Sequence, residues 1–411
     1  MIKTPMISLI CLLCWMAGAR EGLALDRRQK QFKTDTAYMA LPAPYNVPGI
    51  GSGIAYSLIA SNILGGYTDI LAVKATGVAT ASYFQVSDFH LISETLILGA
   101  SKAVVSRMTS NNYKSRGIDS DEKDYVSLVS SLDENLFNVT LTGFERRFSL
   151  FYEHSKSVIK VAQGLDPEGE LLFEFSNPTP IETQKTIKGF LLDYTDDYLD
   201  PLVGLRLDIR NSHSPPLNVL ESDFNVVNKS LNIYFPMGKD STWAFHGIRS
   251  DAEVIQAGET DPDKLAQELG LSCSYADCSL DQQSLVNKRQ VERQKGTALA
   301  IGGFDHLRSF PLERFQGAHS QAFSTEFRWA ISDKVTPFNF WIWKDISTKI
   351  QWAFFYDTGT VAETTKDLWK KSVSSTGTGL RMVAASGYAY RADVATGPEG
   401  ENVTMFFFYP W

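Results

Sequence analysis

The chain has 411 residues, 21% of them charged and 12% aromatic, with a formal net charge of −8. Beyond residue 25 no apolar run approaches the roughly 18 residues that a membrane-spanning helix needs, and aromatic and β-branched residues are too plentiful for a disordered chain. An acidic chain without a basic block also lacks the electrostatic footprint of a nucleic-acid binder, which leaves a large globular protein or a β-barrel.

The first element is a leader. Lys3 gives a positive start, Ile7 to Met16 is a short apolar stretch, and small residues follow at Ala17-Gly18-Ala19 and Gly22-Leu23-Ala24. This is the layout of a cleaved secretory signal over 1–24. Residues 25–44 are expected to be a short periplasmic tail whose basic stretch, Arg27-Arg28-Gln29-Lys30, is solvated. The barrel or sandwich proper is expected over 45–411, with no linker or internal duplication.

Candidate strands lie near 50–60, 68–78, 88–99, 124–131, 136–144, 147–154, 171–176, 186–194, 203–211, 231–237 and 241–250, then 321–331, 349–357, 378–385, 388–395 and 402–411, sixteen in all. Turn residues separate them, as at Asn62 to Gly66, Asn211 to Pro216, Gly238 to Ser241 and Gly397 to Gly400. The rhythm breaks over 251–295, a polar stretch with a short helix predicted from Asp263 to Leu269. Counting strands from the short turn at Gly238 places this stretch outside the cell. It contains Cys273 and Cys278, whose spacing in an exported chain suggests a loop disulfide. A metal site would need further ligands, and no other Cys or His lies within twenty residues. No metal or other cofactor is expected.

The late strands alternate strictly. Phe323, Phe327, Trp329 and Ile331 share one face, and Ser324, Glu326 and Arg328 the other. Ile350, Trp352, Phe354 and Tyr356 oppose Lys349, Gln351, Ala353 and Asp357. At the C-terminus Val403, Met405, Phe407, Tyr409 and Trp411 oppose Asn402, Thr404 and Phe406. Side chains alternate across a strand, so each segment has an aromatic face and a mostly polar one. A soluble sandwich can show this, but charges and amides behind a row of aromatics fit a lipid-facing barrel with a polar lumen better. Closure would pair the first predicted strand, Gly49 to Ala60, with the last, Asn402 to Trp411. Gly49, Gly51 and Gly53 weaken one side of that seam, and Pro410 withholds an N–H from the other.

Hydrolase and nucleotide motifs are missing. There is no Gly-x-Ser-x-Gly and no His-Glu-x-x-His, and Gly49-Ile50-Gly51-Ser52-Gly53 matches neither nucleotide fingerprint. His306 and His319 flank a charged cluster without a partner motif, so no enzymatic activity is expected.

Ile301-Gly302-Gly303-Phe304-Asp305-His306-Leu307-Arg308-Ser309-Phe310 resembles the glycine pair and Val-Arg-Gly-Tyr/Phe motif of the Omp85 superfamily, the bacterial surface antigen D15 or BamA/TamA-like barrels. The resemblance continues in order through Phe323 to Arg328, Phe355 to Gly359 and Gly377 to Arg381, and upstream at Asp200 to Gly204. The aromatic Trp411 at the C-terminus, with Phe407 and Tyr409, is similar to an outer-membrane barrel signal. The resemblance implies a sixteen-stranded all-β transmembrane barrel whose long sixth extracellular loop (251–320) returns into the lumen. Gly302, Gly303, Arg308 and Phe310 would form its lock, and Arg308 would meet the inward carboxylates Glu326 and Asp357. Ser309 stands where the motif has glycine; at a positive φ a serine costs about 1 kcal/mol or more.

The resemblance further implies a Gram-negative outer-membrane protein acting in protein insertion or translocation, with the weak seam opening laterally. The twenty or so residues before the first predicted strand leave no room for the family's POTRA domains. Partner subunits in the periplasm or outer membrane are therefore expected. Two alternatives stay open: a transport barrel for lipid or small solutes, and an ordinary porin-like channel.

Overall fold

The computed structural model describes residues 36–411 apart from 65–66, 199, 239–240, 270, 272, 334–337, 341–342, 347, 385–388 and 408. The predicted signal and the basic stretch Arg27–Lys30 lie outside the described residues.

Sixteen antiparallel strands form one closed ring. They are β1 (Ala37–Val47), β2 (Gly51–Ile63), β3 (Thr68–Gly77), β4 (Thr80–Ile92), β5 (Leu96–Tyr113), β6 (Tyr125–Gly143), β7 (Phe148–Leu165) and β8 (Ile181–Thr195), then β9 (Gly204–His213), β10 (Asp223–Pro236), β11 (Ser241–Gln256), β12 (His319–Asp333), β13 (Thr348–Ala362), β14 (Val373–Ala384), β15 (Ala389–Gly397) and β16 (Gly400–Phe407). Each pairs with its chain neighbours, and β16 returns to β1. One end of the ring carries the long connections, above all 257–318 between β11 and β12; the other carries shorter turns.

Alternation makes the wall two-faced. Along β13 the side chains of Lys349, Gln351, Ala353, Phe355 and Asp357 are buried in the ring, while Trp352, Phe354 and Tyr356 stand exposed outside. On β12, Glu326 and Arg328 are buried and Phe323, Trp329 and Ile331 exposed. An apolar outer face on a ring whose strands pair side by side is what a bilayer accepts, since the ladders satisfy the backbone groups that hydrocarbon cannot. The fold is a transmembrane β-barrel.

Wall height is uneven. β16 has 8 residues and β15 has 9, whereas β6 has 19. At about 3.4 Å per residue these run about 27 to 31 Å and about 65 Å along the strand. The short side is the side that closes.

Closure itself is slight. β1 and β2 are in register from Ala37↔Ser61 to Val47↔Gly51, but β1 meets β16 at one register position, Asn46↔Met405. The carbonyl of Pro44 accepts a hydrogen bond from Tyr390 Oη on β15 (2.6 Å), so residue 44 turns its backbone groups toward the seam. In a strand these groups point to the same side at every second residue. At the register Asn46↔Met405, Pro44 therefore lies opposite Phe407, the last residue of β16, without an N–H to give, and Pro42 lies past the end of that strand. A second contact covers the far end of β1. The connection from β12 to β13 carries a small hairpin (Phe338–Phe340 and Trp343–Ile346), whose second strand bridges β1 at Tyr38↔Lys344.

Several expectations need correction. The ring begins at Ala37 rather than near residue 45, so the end of the presumed tail is a strand. Gly49, Gly51 and Gly53 lie at or beside the β1–β2 turn, where Gly49 and Gly51 have positive φ, and not in the seam. Pro410 follows the end of β16. The seam is weak because β16 ends opposite Pro44, which has no N–H to give. The sixteen predicted strands and the sixteen observed ones are different sets: β1 is not among those predicted, and the predicted strand 88–99 spans the ends of β4 and β5. Conversely 124–131 and 136–144 are one strand, β6, and Leu171–Glu174 is an extension folded on β7 outside the ring. Residues 251–256 belong to β11, and the loop spans 257–318.

Substituting valine at position 44 restores one seam-facing donor opposite Phe407. It is expected to add about 1 kcal/mol, raising the temperature at which the barrel loses its compact mobility on unboiled gels. No rise would contradict the seam-facing assignment.

Candidate functional site

The site is built by the loop between β11 and β12. Its first part is a cap of two helices, α1 (Pro262–Glu268) and α2 (Leu280–Lys295), joined through the Cys273–Cys278 disulfide. Asp261 caps α1 by accepting from the backbone of Asp263 and Lys264. Ser279 and Gln282 form a reciprocal capping box at the start of α2. Gly296 ends α2 at φ 70°, where a Cβ would press on Ala252 and Phe224 at 3.0 Å. Lys288 fastens the cap to the β5–β6 side through Asn112 Oδ1 (3.1 Å), and Arg293 fastens α2 to α1 through Glu268 (2.6 Å). Burial pushes the Lys288 ammonium below the usual lysine range. The hydrogen bond from Lys264 holds the Glu259 carboxyl at about 2.

From residue 297 the loop descends into the lumen. Its two legs touch at the bridge Ile301↔Phe315, and the glycine pair lets them do so. Gly302 and Gly303 have φ of 117° and 113°. A Cβ on Gly302 would lie 2.6 Å from the carbonyl oxygen of Pro311, and one on Gly303 2.7 Å from Leu312 Cδ1. Phe310 is wholly buried, packing edge-on to Phe315 (5.0 Å, 68°) in a cluster with Ile301, Leu307, Ala322 and Val361. The left-handed residue of the tip is Leu307 (φ 56°) and not Ser309, so the serine carries no such strain.

Arg308 is 0% exposed. Its Nε and Nη2 donate to Asp357 at 3.0 and 2.9 Å, its Nη1 to Glu326 at 3.0 Å, and its backbone N–H to Asp357 at 3.2 Å. The guanidinium also lies over the Phe355 ring. The sequence-derived trio of Arg308, Glu326 and Asp357 is thus one cluster. It is wider than expected. Glu326 also accepts from Arg328 Nε (2.6 Å) and from Arg381, and Asp393 accepts from Arg391 (2.9 Å) and lies 3.5 Å from Arg308. Four guanidinium groups and three carboxylates share a compartment closed to solvent, with Asp305 3.7 Å from Arg391 at its rim. A charge there costs heavily unless paired, and a planar fork can hold carboxylates on two strands together.

A second arginine holds the returning leg. Arg314, 1% exposed, donates to Glu399 on the β15–β16 turn (2.9 Å) and to Ser120 between β5 and β6 (2.7 Å). Below the tip, His306 meets His246 (Nε2 to Nε2, 3.0 Å), and Trp411 stacks on His246 (5.0 Å, 8°). Tyr409 Oη donates to Asp200 (2.5 Å), which also binds Lys349 (3.0 Å) and Gln351 (3.1 Å). The outward C-terminal row therefore needs correction. Val403 is exposed, but Phe407 joins a buried cluster with Met39 and Tyr45, and Tyr409 and Trp411 turn into the lumen. The loop and the C-terminal residues fill the β11–β15 side of the passage, while a cavity of about 360 Å³ lined by Arg146, Asp193, Arg206 and Asp208 remains on the opposite side. His306 and His319 do not meet: His319 pairs with Asp251 at 2.8 Å.

Sequence reasoning placed Arg328 inward but missed Arg314, Arg381, Arg391 and Asp393. The signal for the last two was a charged pair two residues apart on one strand face.

No family model and no curated protein matches the chain. Among solved structures it is similar to BamA from Haemophilus ducreyi lacking POTRA domains 1–3 (11% identity, TM-score 0.49), covering 91% of this chain and 69% of that one. It is similar to CdiB from Acinetobacter baumannii (11%, TM-score 0.49), covering 90% of this chain and 59% of CdiB. Pseudomonas aeruginosa OccK5 (OpdH) follows at 10% identity and TM-score 0.27, covering 91% of this chain and 96% of that one.

Replacing Arg308 with alanine leaves Asp357 without its bidentate partner. The expected loss is about 3–5 kcal/mol, read as a lower unfolding temperature in detergent and as trypsin cleavage at Arg314 under native conditions. Arg308→Lys keeps the charge without the fork and should fall between. Wild-type behaviour of both variants would contradict the lock.

Proposed function

We propose that the chain is an Omp85-type barrel of a Gram-negative outer membrane, exported by a cleaved signal, that acts in the insertion or translocation of proteins. The observation that carries this reading is the pairing of a locked lumen with a weak seam. A passive porin needs an open aqueous lumen, whereas here the loop tip, the arginine cluster and the C-terminal aromatics occupy the β11–β15 side of it. The wall offers the alternative route. Pro44 and the early end of β16 leave β1 half-bonded on that side, where the barrel is shortest. A strand with unpaired backbone groups is a template for another strand.

In this reading the long-loop end faces the exterior, and β1 is the edge offered to an incoming strand. The bridge from Trp343–Ile346 to Tyr38 is a resting cover of that edge. The reading includes partner proteins at the periplasmic end; co-purification from native membranes tests that part. No catalytic group or cofactor takes part.

The test is a disulfide across the seam between Asn46→Cys and Met405→Cys, the two positions in register. In proteoliposomes the oxidised barrel should lose insertion of an unfolded client barrel, and reduction should restore it. Full activity with the seam locked would overturn the reading and favour passage of lipid or small solutes.

A further inference from the structure

We infer that the outer wall formed by β9 to β13 holds a binding site for one phosphate-bearing anionic lipid in the leaflet on the long-loop side. The inference is independent of the protein-insertion reading and needs only that the barrel spans a bilayer.

The strand registers lay out this wall in rows. One outward row runs Leu207↔Leu231↔Gly247↔Phe323↔Thr358. The row above it, toward the long loops, runs Ile209↔Lys229↔Arg249↔Gln321↔Thr360. Gly247 thus stands where its neighbours place large apolar side chains. Below and beside it lies a recess of about 500 Å³, walled by Leu207, Leu231, Phe245, Phe323 and Tyr356. Its size falls within the range of small-ligand sites, roughly 300–1,000 Å³. A Cβ on Gly247 would press on the Phe323 ring at 3.1 Å, so the recess depends on glycine at that position.

The cations sit at the rim. Lys229 makes no hydrogen bond or ion pair among the described residues, so its ammonium is free for a ligand. Arg249 is held by Asp251 through Nε and Nη2 (3.0 and 2.9 Å), and Asp251 is shared with His319. That carboxylate offsets the arginine and leaves the lysine as the net charge. Lys188, exposed on the next outward row through Lys188↔Asn211↔Val227, adds a second cation on the long-loop side.

An independent feature sets the depth of this row. Trp369, from the β13–β14 connection, stacks on Phe323 (5.4 Å, 25°) and donates its indole N–H to Gln321 (2.8 Å). An indole lying on an apolar ring with its N–H on a polar neighbour marks the interfacial level of a bilayer. Gln321 shares its row with Lys229 and Arg249. The cations therefore lie at headgroup depth, and the recess lies one row deeper, among acyl chains. A phosphate on the lysine and a chain in the recess satisfy both together.

The test uses native mass spectrometry of the full chain released from a neutral detergent, with phosphatidylglycerol or phosphatidylcholine as the added lipid. One phosphatidylglycerol should be retained in preference to phosphatidylcholine. Lys229→Gln should reduce that preference about fivefold, the contribution of one lysine near an anionic headgroup. Gly247→Leu should reduce retention of both lipids, its folding checked by heat-modifiable mobility. Equal retention of the two lipids, or a Lys229→Gln protein that behaves as wild type, would overturn the site. So would a dimer that buries this wall and excludes lipid.

Discussion

The guanidinium of Arg308, buried at the centre of the barrel and bound to carboxylates on two neighbouring strands, is the interaction on which the rest of the lumen depends. Removing a charged group from water costs several kcal/mol even after relaxation, so such a residue stays buried only where its partners are complete. Asp357 supplies two oxygens in the plane of the fork and Glu326 supplies a third. Because both strands must keep their register to hold those oxygens in place, the loop tip clamps β12 to β13. Arg381 extends the clamp to β14 through Glu326, and Asp393 extends it to β15, 3.5 Å from Arg308 and 3.9 Å from Arg381. Four consecutive strands are thereby tied through one network.

This stiffness stops short of the seam. β16 is eight residues long and meets β1 at Asn46↔Met405, and Pro44, opposite its last residue, cannot complete the ladder. The apolar cluster of Met39, Tyr45 and Phe407 holds that side by packing, which is less directional than hydrogen bonding. The barrel thus combines a rigid half, organised by charge, with a compliant half, organised by apolar contact. The Tyr409–Asp200 bond joins them, since it ties the chain beyond β16 to the β8–β9 turn. Movement of β16 must therefore either break that bond or carry the turn with it.

Much of this was legible in the residues, and the exceptions have physical causes. The inward positions of Glu326 and Asp357 followed from period-two alternation alone, because a half-buried strand cannot slip by one residue without turning its aromatics inward. The cysteine pair and the loop that carries it were legible for similar local reasons. β1 was not. Pro42 and Pro44 argue against a strand in a sheet interior, and here the chain uses them at the one place where a strand is only half paired. β6 was divided because Asp133-Glu134-Asn135 interrupts its apolar pattern, although the strand continues beyond the lipid-facing zone, where polar residues suit it. The C-terminal alternation ran on through Tyr409 and Trp411, but the ladder ends at Phe407, and the tail beyond it is placed by Asp200 and His246, both far away in sequence. Long-range partners of that kind leave no local periodic mark.

The locked half and the seam differ in stability within one closed ring. Amide hydrogen exchange of the full chain in lipid nanodiscs, read peptide by peptide, measures that difference most directly. The account predicts the slowest exchange at the loop tip, Gly302 to Phe310, and in the tied strands β12 to β14. It predicts exchange faster by orders of magnitude in β1 and β16. Protection of β1 and β16 equal to that of β12 and β13 would contradict it, because the seam would then be as strong as the rest of the wall.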